Sequence, residues 1–115
     1  MSSAFETLPH PGHFRDVTPA DVVAHRDGLK LVDVREPHEF TGELGHIEGA
    51  ELVPLATVGA ASSGWDKNAE IVLVCRSGGR SGRAADALAR MGFLRLSNMV
   101  GGMLRWNDEQ RPVVR

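Results

Sequence analysis

The residues best suited to chemistry lie between positions 71 and 83, where the sequence reads I-V-L-V-C-R-S-G-G-R-S-G-R. Four apolar residues lead to Cys75, and a loop of arginine, serine and glycine follows it. A buried strand that continues into a glycine-rich loop and a helix is a common arrangement for holding an anion. Backbone N–H groups and a helix N-terminus can lower a thiol pKa from about 8.5 to roughly 3.5–7.5. The sequence therefore predicts that Cys75 is a reactive thiolate.

Cys75 is the only cysteine of the chain. No internal disulfide is possible, so we expect a protein of the reducing cytoplasm. No second thiol can receive a group that Cys75 has acquired, and that group must pass to another molecule. The alternative interpretation is an inert thiol buried at the end of a strand, which is common for a lone cysteine.

The composition indicates one soluble globular domain. The chain has 115 residues, of which 42% are hydrophobic and 24% are charged, with a net charge of −2. That charge predicts no nucleic-acid or membrane partner, and no apolar stretch approaches the roughly 18 residues that a membrane span needs. The N-terminal segment M-S-S-A-F-E-T-L-P-H lacks the basic start and apolar core of a signal peptide. We also expect no metal and no cofactor.

Predicted strands and helices alternate after an N-terminal arm at 1–15, within a single domain at 16–115. Strands are predicted near Val17 and over residues 29–34, 51–53, 70–74 and 94–99. Helices are predicted from a cap at Thr18 to near Gly28, over residues 37–40 and 57–61, from a cap at Ser81 to Gly92, and over residues 103–109. This alternation favours a parallel sheet with helices on both faces.

Asp33 and Arg35 lie where the second predicted strand meets its loop. The carboxyl ends of parallel strands are where sites form in open α/β sheets, so both residues are predicted to support the site. The alternative is a local ion pair that steadies the turn. His46 lies in the next loop and is interpreted as a hydrogen-bonded structural residue.

Four segments, taken in order, resemble the motifs of single-domain rhodanese-like sulfurtransferases. They are L-V-D-V-R-E at 31–36, G-H-I-E-G-A at 45–50, the strand and loop at 71–82, and G-G-M-L-R-W at 101–106. The resemblance extends from about residue 16 to residue 114. It implies a three-layer α/β/α rhodanese-like fold with a five-stranded parallel sheet in the order 1-5-4-2-3. It also implies that Cys75 is the residue that carries sulfur.

Sulfur transfer by Cys75 is chemically consistent with the residues of the loop. The thiolate would attack the outer sulfur of thiosulfate, or of another persulfide donor, and become a persulfide. Backbone N–H groups between positions 76 and 81 would surround the terminal sulfur, where negative charge develops. The predicted substrate- and persulfide-binding residues are Arg76, Ser77, Gly78, Gly79, Arg80 and Ser81. A thiol, cyanide or a protein acceptor would then take the sulfur.

Individual loop residues receive more specific roles. The two glycines, Gly78 and Gly79, leave room for the sulfur and can adopt positive φ. Arg80 is predicted to hold the loop in shape or to meet an anionic donor, while Arg76 and Arg35 are candidates to attract a sulfonate. The hydroxyls of the two serines can bind the sulfur or cap the following helix. The loop has no lysine of the kind found in some thiosulfate-specialised relatives, so the donor is open.

Two other functions fit parts of the pattern. Phosphatases and arsenate reductases also have a cysteine and an arginine in one loop, but with five residues between them, whereas four residues separate Cys75 from Arg80. The shorter loop is better matched to one sulfur atom than to a tetrahedral oxyanion. A non-catalytic binding module on the same fold is the other alternative, because a fold does not determine a function.

Overall fold

The structure, a computed structural model, describes residues 13–115. Residues 1–12, which contain most of the predicted N-terminal arm, lie outside the described residues. Five parallel strands form one sheet in the order β1-β5-β4-β2-β3. They are β1 (Arg15–Val17), β2 (Leu29–Asp33), β3 (Glu51–Leu52), β4 (Glu70–Val74) and β5 (Arg95–Met99). This order confirms the fold that the sequence resemblance implies.

Helices cover both faces of the sheet. They are α1 (Pro19–Ala24), α2 (Pro37–Phe40), α3 (Val58–Ala61), α4 (Gly79–Arg90) and α5 (Gly102–Asp108), with 3₁₀ turns at Leu55–Thr57 and Ser62–Gly64. Helices α3 and α4 pack on one face, and α1 and α5 pack on the other. The molecule is therefore a three-layer α/β/α structure, as predicted.

Strand β4 is central and contributes to both apolar cores. Ile71 and Leu73 pack toward α4, and Val72 and Val74 pack toward α1 and α5. All four side chains are at most 1% exposed, and burial of each such side chain stabilises the fold by roughly 1.5–3 kcal/mol. Because side chains alternate along a strand, the residue that follows Val74 points toward α4. Cys75 is indeed part of the core on that face.

Several element boundaries differ from the predicted ones. Strand β1 begins at Arg15, which the sequence assigns to the arm. Helix α1 starts at a Thr18 capping box, as predicted, but ends at Ala24 rather than near Gly28. The chain then turns, with the N–H of Leu29 donating to the Arg26 carbonyl at 3.3 Å. Gly28 has a φ of +87° and belongs to this turn rather than to the helix end.

Helix α4 begins at Gly79, two residues before the predicted cap at Ser81. Its N-cap is Gly78, whose φ of +109° lies in the left-handed region. The prediction that Ser81 caps the helix is therefore wrong, and Ser81 is instead a buried residue of the first helical turn. Gly92, with a φ of +100°, follows the C-cap Met91, as predicted.

Candidate functional site

Residues 75–81 form a loop and first helical turn, here called the Cys75 loop, at the carboxyl edge of the sheet. Helix α5 holds its first two residues through backbone contacts. The N–H of Met103 donates to the Cys75 carbonyl at 2.9 Å, and the N–H of Leu104 donates to the Arg76 carbonyl at 3.0 Å. N–H groups in the first turn of a helix have no partner within that helix. Helix α5 therefore supplies free donors that direct these two carbonyls toward itself.

Gly102 makes this contact possible. Its φ is +54°, and a Cβ atom built there would lie 2.5 Å from the carbonyl oxygens of Cys75 and Arg76. No side chain fits at that distance, so helix α5 can approach the loop only because residue 102 is glycine. The sequence analysis did not predict this contact with the loop. The sequence feature that could have indicated it is the pair of glycines at 101 and 102, immediately before the predicted helix.

The Cys75 sulfur lies among hydrogen-bond donors inside the loop. The residue is only 1% exposed. The Gly78 N–H donates to Sγ at 3.0 Å, and the Ser81 Oγ lies 3.2 Å from Sγ. Gly78 has the positive φ predicted for it, whereas Gly79 is the first residue of α4 and does not. The expectation that both glycines use positive φ is thus correct only for Gly78.

The pKa of the Cys75 thiol is lowered by these donors. Burial, the largest single influence, raises the pKa because it disfavours the charged form. The Ser81 hydroxyl and the backbone N–H groups of Ser81, Gly78 and Ser77 act in the opposite direction and together outweigh burial. The arrangement favours a thiolate, which is the nucleophilic form of cysteine.

Arg80 forms a paired hydrogen bond with Glu39 of α2. Its two terminal nitrogens donate to the two carboxylate oxygens at 2.7 Å and 2.8 Å. The Arg80 guanidinium overcomes partial burial and lowers the pKa of Glu39 to about 2. Of the two roles predicted for Arg80, this geometry favours holding the loop in shape over meeting a donor.

Asp33 and Arg35 form a fully buried ion pair at the end of β2. The Arg35 Nη2 lies 2.8 Å from the Asp33 carboxylate, and both side chains are 1% exposed. Arg35 also donates to the carbonyls of Glu39 at 3.2 Å and Gly45 at 2.7 Å. The guanidinium is thus occupied by internal bonds, which favours the alternative interpretation of an ion pair that steadies the turn. It does not favour a role for Arg35 in attracting a sulfonate.

Glu39 links the two ion pairs, because its carbonyl accepts from Arg35 and its carboxylate accepts from Arg80. His46 is held nearby, with its Nδ1 2.7 Å from the Phe40 carbonyl and its ring stacked on the Phe40 ring at 3.5 Å. These contacts agree with the structural role predicted for His46.

Arg76 and Ser77 are exposed on the rim of the Cys75 loop. Arg76 borders an open cleft of about 360 Å³ between α2 and α5, which is also lined by His38, Leu44 and Leu104. An exposed guanidinium beside the loop is well placed for an anionic reactant. Arg76 is the one residue of the Cys75 loop that lines this cleft.

Asn98 of β5 is a polar residue of the site that the sequence did not single out. It is 7% exposed, and its Oδ1 lies 2.5 Å from the Ser81 Oγ. Its Nδ2 lies below the loop, 4.0 Å from the position that a Cβ of Gly78 would occupy. The available signal was a polar residue inside a predicted buried strand, which requires a hydrogen-bond partner.

Within residues 13–115, no group of three or more histidine, cysteine, aspartate or glutamate side chains is arranged to hold a metal ion. In the same part of the chain, every helix is too short or too polar to cross a membrane.

Comparisons of this chain with known proteins agree on one family. A family model described as "Rhodanese-like domain" matches residues 18–109. An Allochromatium vinosum protein named "Sulfurtransferase" is 33% identical over 92 residues, which cover 80% of this chain and 84% of that protein. A Bacillus subtilis protein named "Putative sulfur carrier protein YrkF" is 38% identical over 83 residues, which cover 72% of this chain and 44% of that protein.

A solved structure of a rhodanese-related protein from Thermoplasma volcanium has the same fold. It matches with a TM-score of 0.79 and 26% identity, and the match covers 88% of this chain and 98% of that one. The chain spans about half the length of several curated relatives that it matches. These likenesses support a sulfurtransferase-type role.

Proposed function

We propose that this chain, which belongs to the rhodanese-like domain family, transfers sulfane sulfur from a donor to a thiophilic acceptor through a persulfide on Cys75. One observation carries the proposal. The Cys75 sulfur lies 3.0 Å from the Gly78 N–H and 3.2 Å from the Ser81 hydroxyl, at the base of a loop in which Arg76, Ser77 and Gly79 are exposed. Hydrogen-bond donors in this arrangement can stabilise the negative charge of both the Cys75 thiolate and the Cys75 persulfide.

In the first step, the Cys75 thiolate attacks the outer sulfur of thiosulfate. A sulfur–sulfur bond forms to Cys75, and the bond between the outer sulfur and the sulfonate group breaks. The electron pair of that bond leaves with sulfite. The product is an anionic Cys75 persulfide, and no oxidant or reductant is consumed. Another persulfide donor reacts in the same way and releases its own thiolate.

In the second step, an acceptor nucleophile attacks the terminal sulfur of the persulfide. The acceptor gains the sulfur, and Cys75 returns as a thiolate. The loop N–H groups that lower the pKa of Cys75 are the donors that would stabilise this leaving thiolate. Both half-reactions therefore use the same feature of the loop.

The arginines of the loop have different roles in this proposal. Arg80 is engaged by Glu39 and keeps the Cys75 loop in position. Arg76 is exposed at the cleft between α2 and α5 and provides positive charge for an anionic donor. Thiosulfate carries a sulfonate that a guanidinium can bind. Sulfur donors and acceptors are the partner classes that the sulfurtransferase relatives imply.

Steady-state kinetics test the proposed function. With thiosulfate and cyanide both varied, a persulfide enzyme gives parallel double-reciprocal lines, because the donor product leaves before the acceptor binds. The Cys75→Ser variant should have no activity above the buffer rate. Intersecting lines, or activity that survives Cys75→Ser, would contradict the proposal. Hydrolysis of an aryl phosphate that requires Cys75 would instead favour the phosphatase alternative.

A further inference from the structure

A chain of polar side chains continues from the Cys75 sulfur to the edge of the sheet. Ser81 lies next to the sulfur, Asn98 lies behind Ser81, and Asp16 of β1 lies beyond Asn98. The Asn98 Nδ2 donates to the Asp16 carboxylate at 3.4 Å. Asp16 and Asn98 are direct neighbours in the register of β1 and β5. Ser81 and Asn98 are buried, whereas Asp16 is exposed.

The Ser81 hydroxyl has more acceptors within reach than it can serve. Asn98 Oδ1 is 2.5 Å away, and Cys75 Sγ and the Gly78 carbonyl are each 3.2 Å away. A serine hydroxyl has one proton to donate. Asn98, as the nearest acceptor, therefore competes with the sulfur for that proton.

This competition depends on the protonation state of Cys75. A thiol can donate its own proton to the Ser81 oxygen while Ser81 donates to Asn98. A thiolate or an anionic persulfide can only accept, so the Ser81 hydroxyl stabilises it only if the Ser81 proton turns away from Asn98. The position of a single proton thus couples Asn98 to the charge on the sulfur.

The Asp16 carboxylate favours one orientation of the Asn98 amide. An ionised carboxylate can only accept hydrogen bonds. Asn98 must therefore present its NH₂ group to Asp16 and its oxygen to Ser81. If the amide were reversed, its oxygen would face the carboxylate, and its NH₂ group would donate to Ser81 and release the hydroxyl proton to the sulfur.

We propose that Asn98 is a positioning residue, oriented by Asp16, that draws the Ser81 proton away from the Cys75 sulfur and so restrains formation of the thiolate. This inference deepens the proposed function, since it takes Cys75 as the reacting thiol. It assigns Asn98 and Asp16 roles in tuning the nucleophile, although neither touches it. The other charged groups of the site are Arg76 of the loop, Arg80 of α4 with its partner Glu39 of α2, and the Asp33–Arg35 pair. None of the proposed variants alters them.

The test is the pH dependence of Cys75 alkylation by iodoacetamide in the full chain. Four proteins are compared: the parent, Asn98→Leu, Ser81→Ala and the double variant. Leucine resembles asparagine in shape but has no acceptor, so the midpoint of Asn98→Leu should fall by about one pH unit as the Ser81 proton turns to the sulfur. The midpoint of Ser81→Ala should rise by about one pH unit. The double variant should match Ser81→Ala.

The double variant separates positioning from a general effect of packing. A structural role alone, or a direct field of the amide on the sulfur, would shift the midpoint equally with and without Ser81. That result would overturn the proposal, as would an unchanged or raised midpoint in Asn98→Leu.

Asp16→Asn provides a second test if Asn98→Leu does not fold. Residue 16 is exposed, and an amide there accepts either orientation of Asn98. The midpoint should fall, by less than in Asn98→Leu, and the fall should shrink in the Ser81→Ala background. The shift that Asp16→Asn still causes in the Ser81→Ala background reports only the loss of the carboxylate charge. An equal shift in both backgrounds would contradict the proposal.

Alkylation requires no sulfur donor, so this test is independent of sulfur transfer. If the midpoint shift of Asn98→Leu depends on Ser81 but Cys75 never acquires sulfur, the role of Asn98 is supported and the proposed function is rejected. Normal sulfur loading with no coupling between Asn98 and Ser81 would support the proposed function and reject the role of Asn98.

Discussion

The Cys75 loop is held on its two sides by different kinds of contact. On the α5 side, backbone N–H groups hold the carbonyls of Cys75 and Arg76, and Gly102 permits the close approach. On the α2 side, the contact is an ion pair between Arg80 and Glu39, whose side chains are 28% and 20% exposed. Backbone contacts at this distance leave no room for adjustment, whereas a partly hydrated ion pair is worth little. We infer that the backbone contacts determine where the sulfur lies and that the ion pair makes a smaller contribution to its position.

The largest expected effect is that of Gly102→Ala on the α5 side. The new Cβ would lie 2.5 Å from backbone atoms of the loop, at a φ of +54°. We expect a loss of roughly 2–5 kcal/mol in the free energy of unfolding, from backbone strain and overpacking together. Urea unfolding measures it.

Gly59→Ala is the matched control for Gly102→Ala. Gly59 lies in α3, and no atom lies within 4 Å of its Cβ position. Alanine there should be neutral or stabilise the protein by up to about 1 kcal/mol. Equal effects of the two substitutions would refute the account of the α5 contact.

A smaller effect is expected of Gly78→Ala, within the loop itself. A Cβ at residue 78 would lie 3.5 Å from the Gly101 nitrogen, which is ordinary van der Waals contact. The cost therefore comes from its φ of +109° and should be about 1–2 kcal/mol. Relaxation of that strain would move the N–H away from the sulfur. The midpoint of Cys75 alkylation should then rise by about one pH unit.

Gly79→Ala serves as the neighbouring control for stability. Gly79 is helical, and no atom lies within 4 Å of its Cβ position. Alanine should therefore raise the free energy of unfolding slightly. If Gly79→Ala were the more destabilising of the two, the assignment of the left-handed residue to position 78 would be incorrect.

The smallest effect is expected on the α2 side, from Glu39→Gln. At neutral pH the loss should be about 1 kcal/mol, because the pair is partly hydrated. The pKa of Glu39 in the folded protein is about 2, below its ordinary value of 4.5. The stabilisation is thus present above pH 4.5 and disappears as the pH falls toward 2. Thermal unfolding of both proteins across this range should converge at low pH; a difference that is constant with pH would argue against the ion pair.

Much of the fold could be predicted from the sequence because its signals are local. The apolar run of β4 and the proline at the start of α2 each identify their element without reference to the rest of the chain. The helix cap at Ser81 was predicted wrongly for a physical reason. Serine is a preferred N-cap residue, but the left-handed Gly78 begins the helix earlier and leaves the Ser81 hydroxyl for the sulfur and Asn98.

The parts of the candidate site that could not be predicted depend on contacts between distant segments. Gly102 meets the loop 26 residues away along the chain, and Asn98 meets Ser81 across 17 residues. Neither contact leaves a periodic pattern in the sequence. The two interpretations of Arg35 differ in where its guanidinium points. Asp33 and the carbonyls of Glu39 and Gly45 together hold it inward, and Gly45 lies in another loop.

Whether Cys75 carries sulfur can be read from the intact mass of the protein before and after incubation with a sulfur donor. Thiosulfate and a low-molecular-weight persulfide are used in turn, with Cys75→Ser as the control. We predict that one sulfur atom adds to the parent chain, that cyanide removes it, and that the variant gains none. If neither donor adds sulfur although iodoacetamide alkylates Cys75, or if the variant gains sulfur equally, Cys75 is not the sulfur carrier.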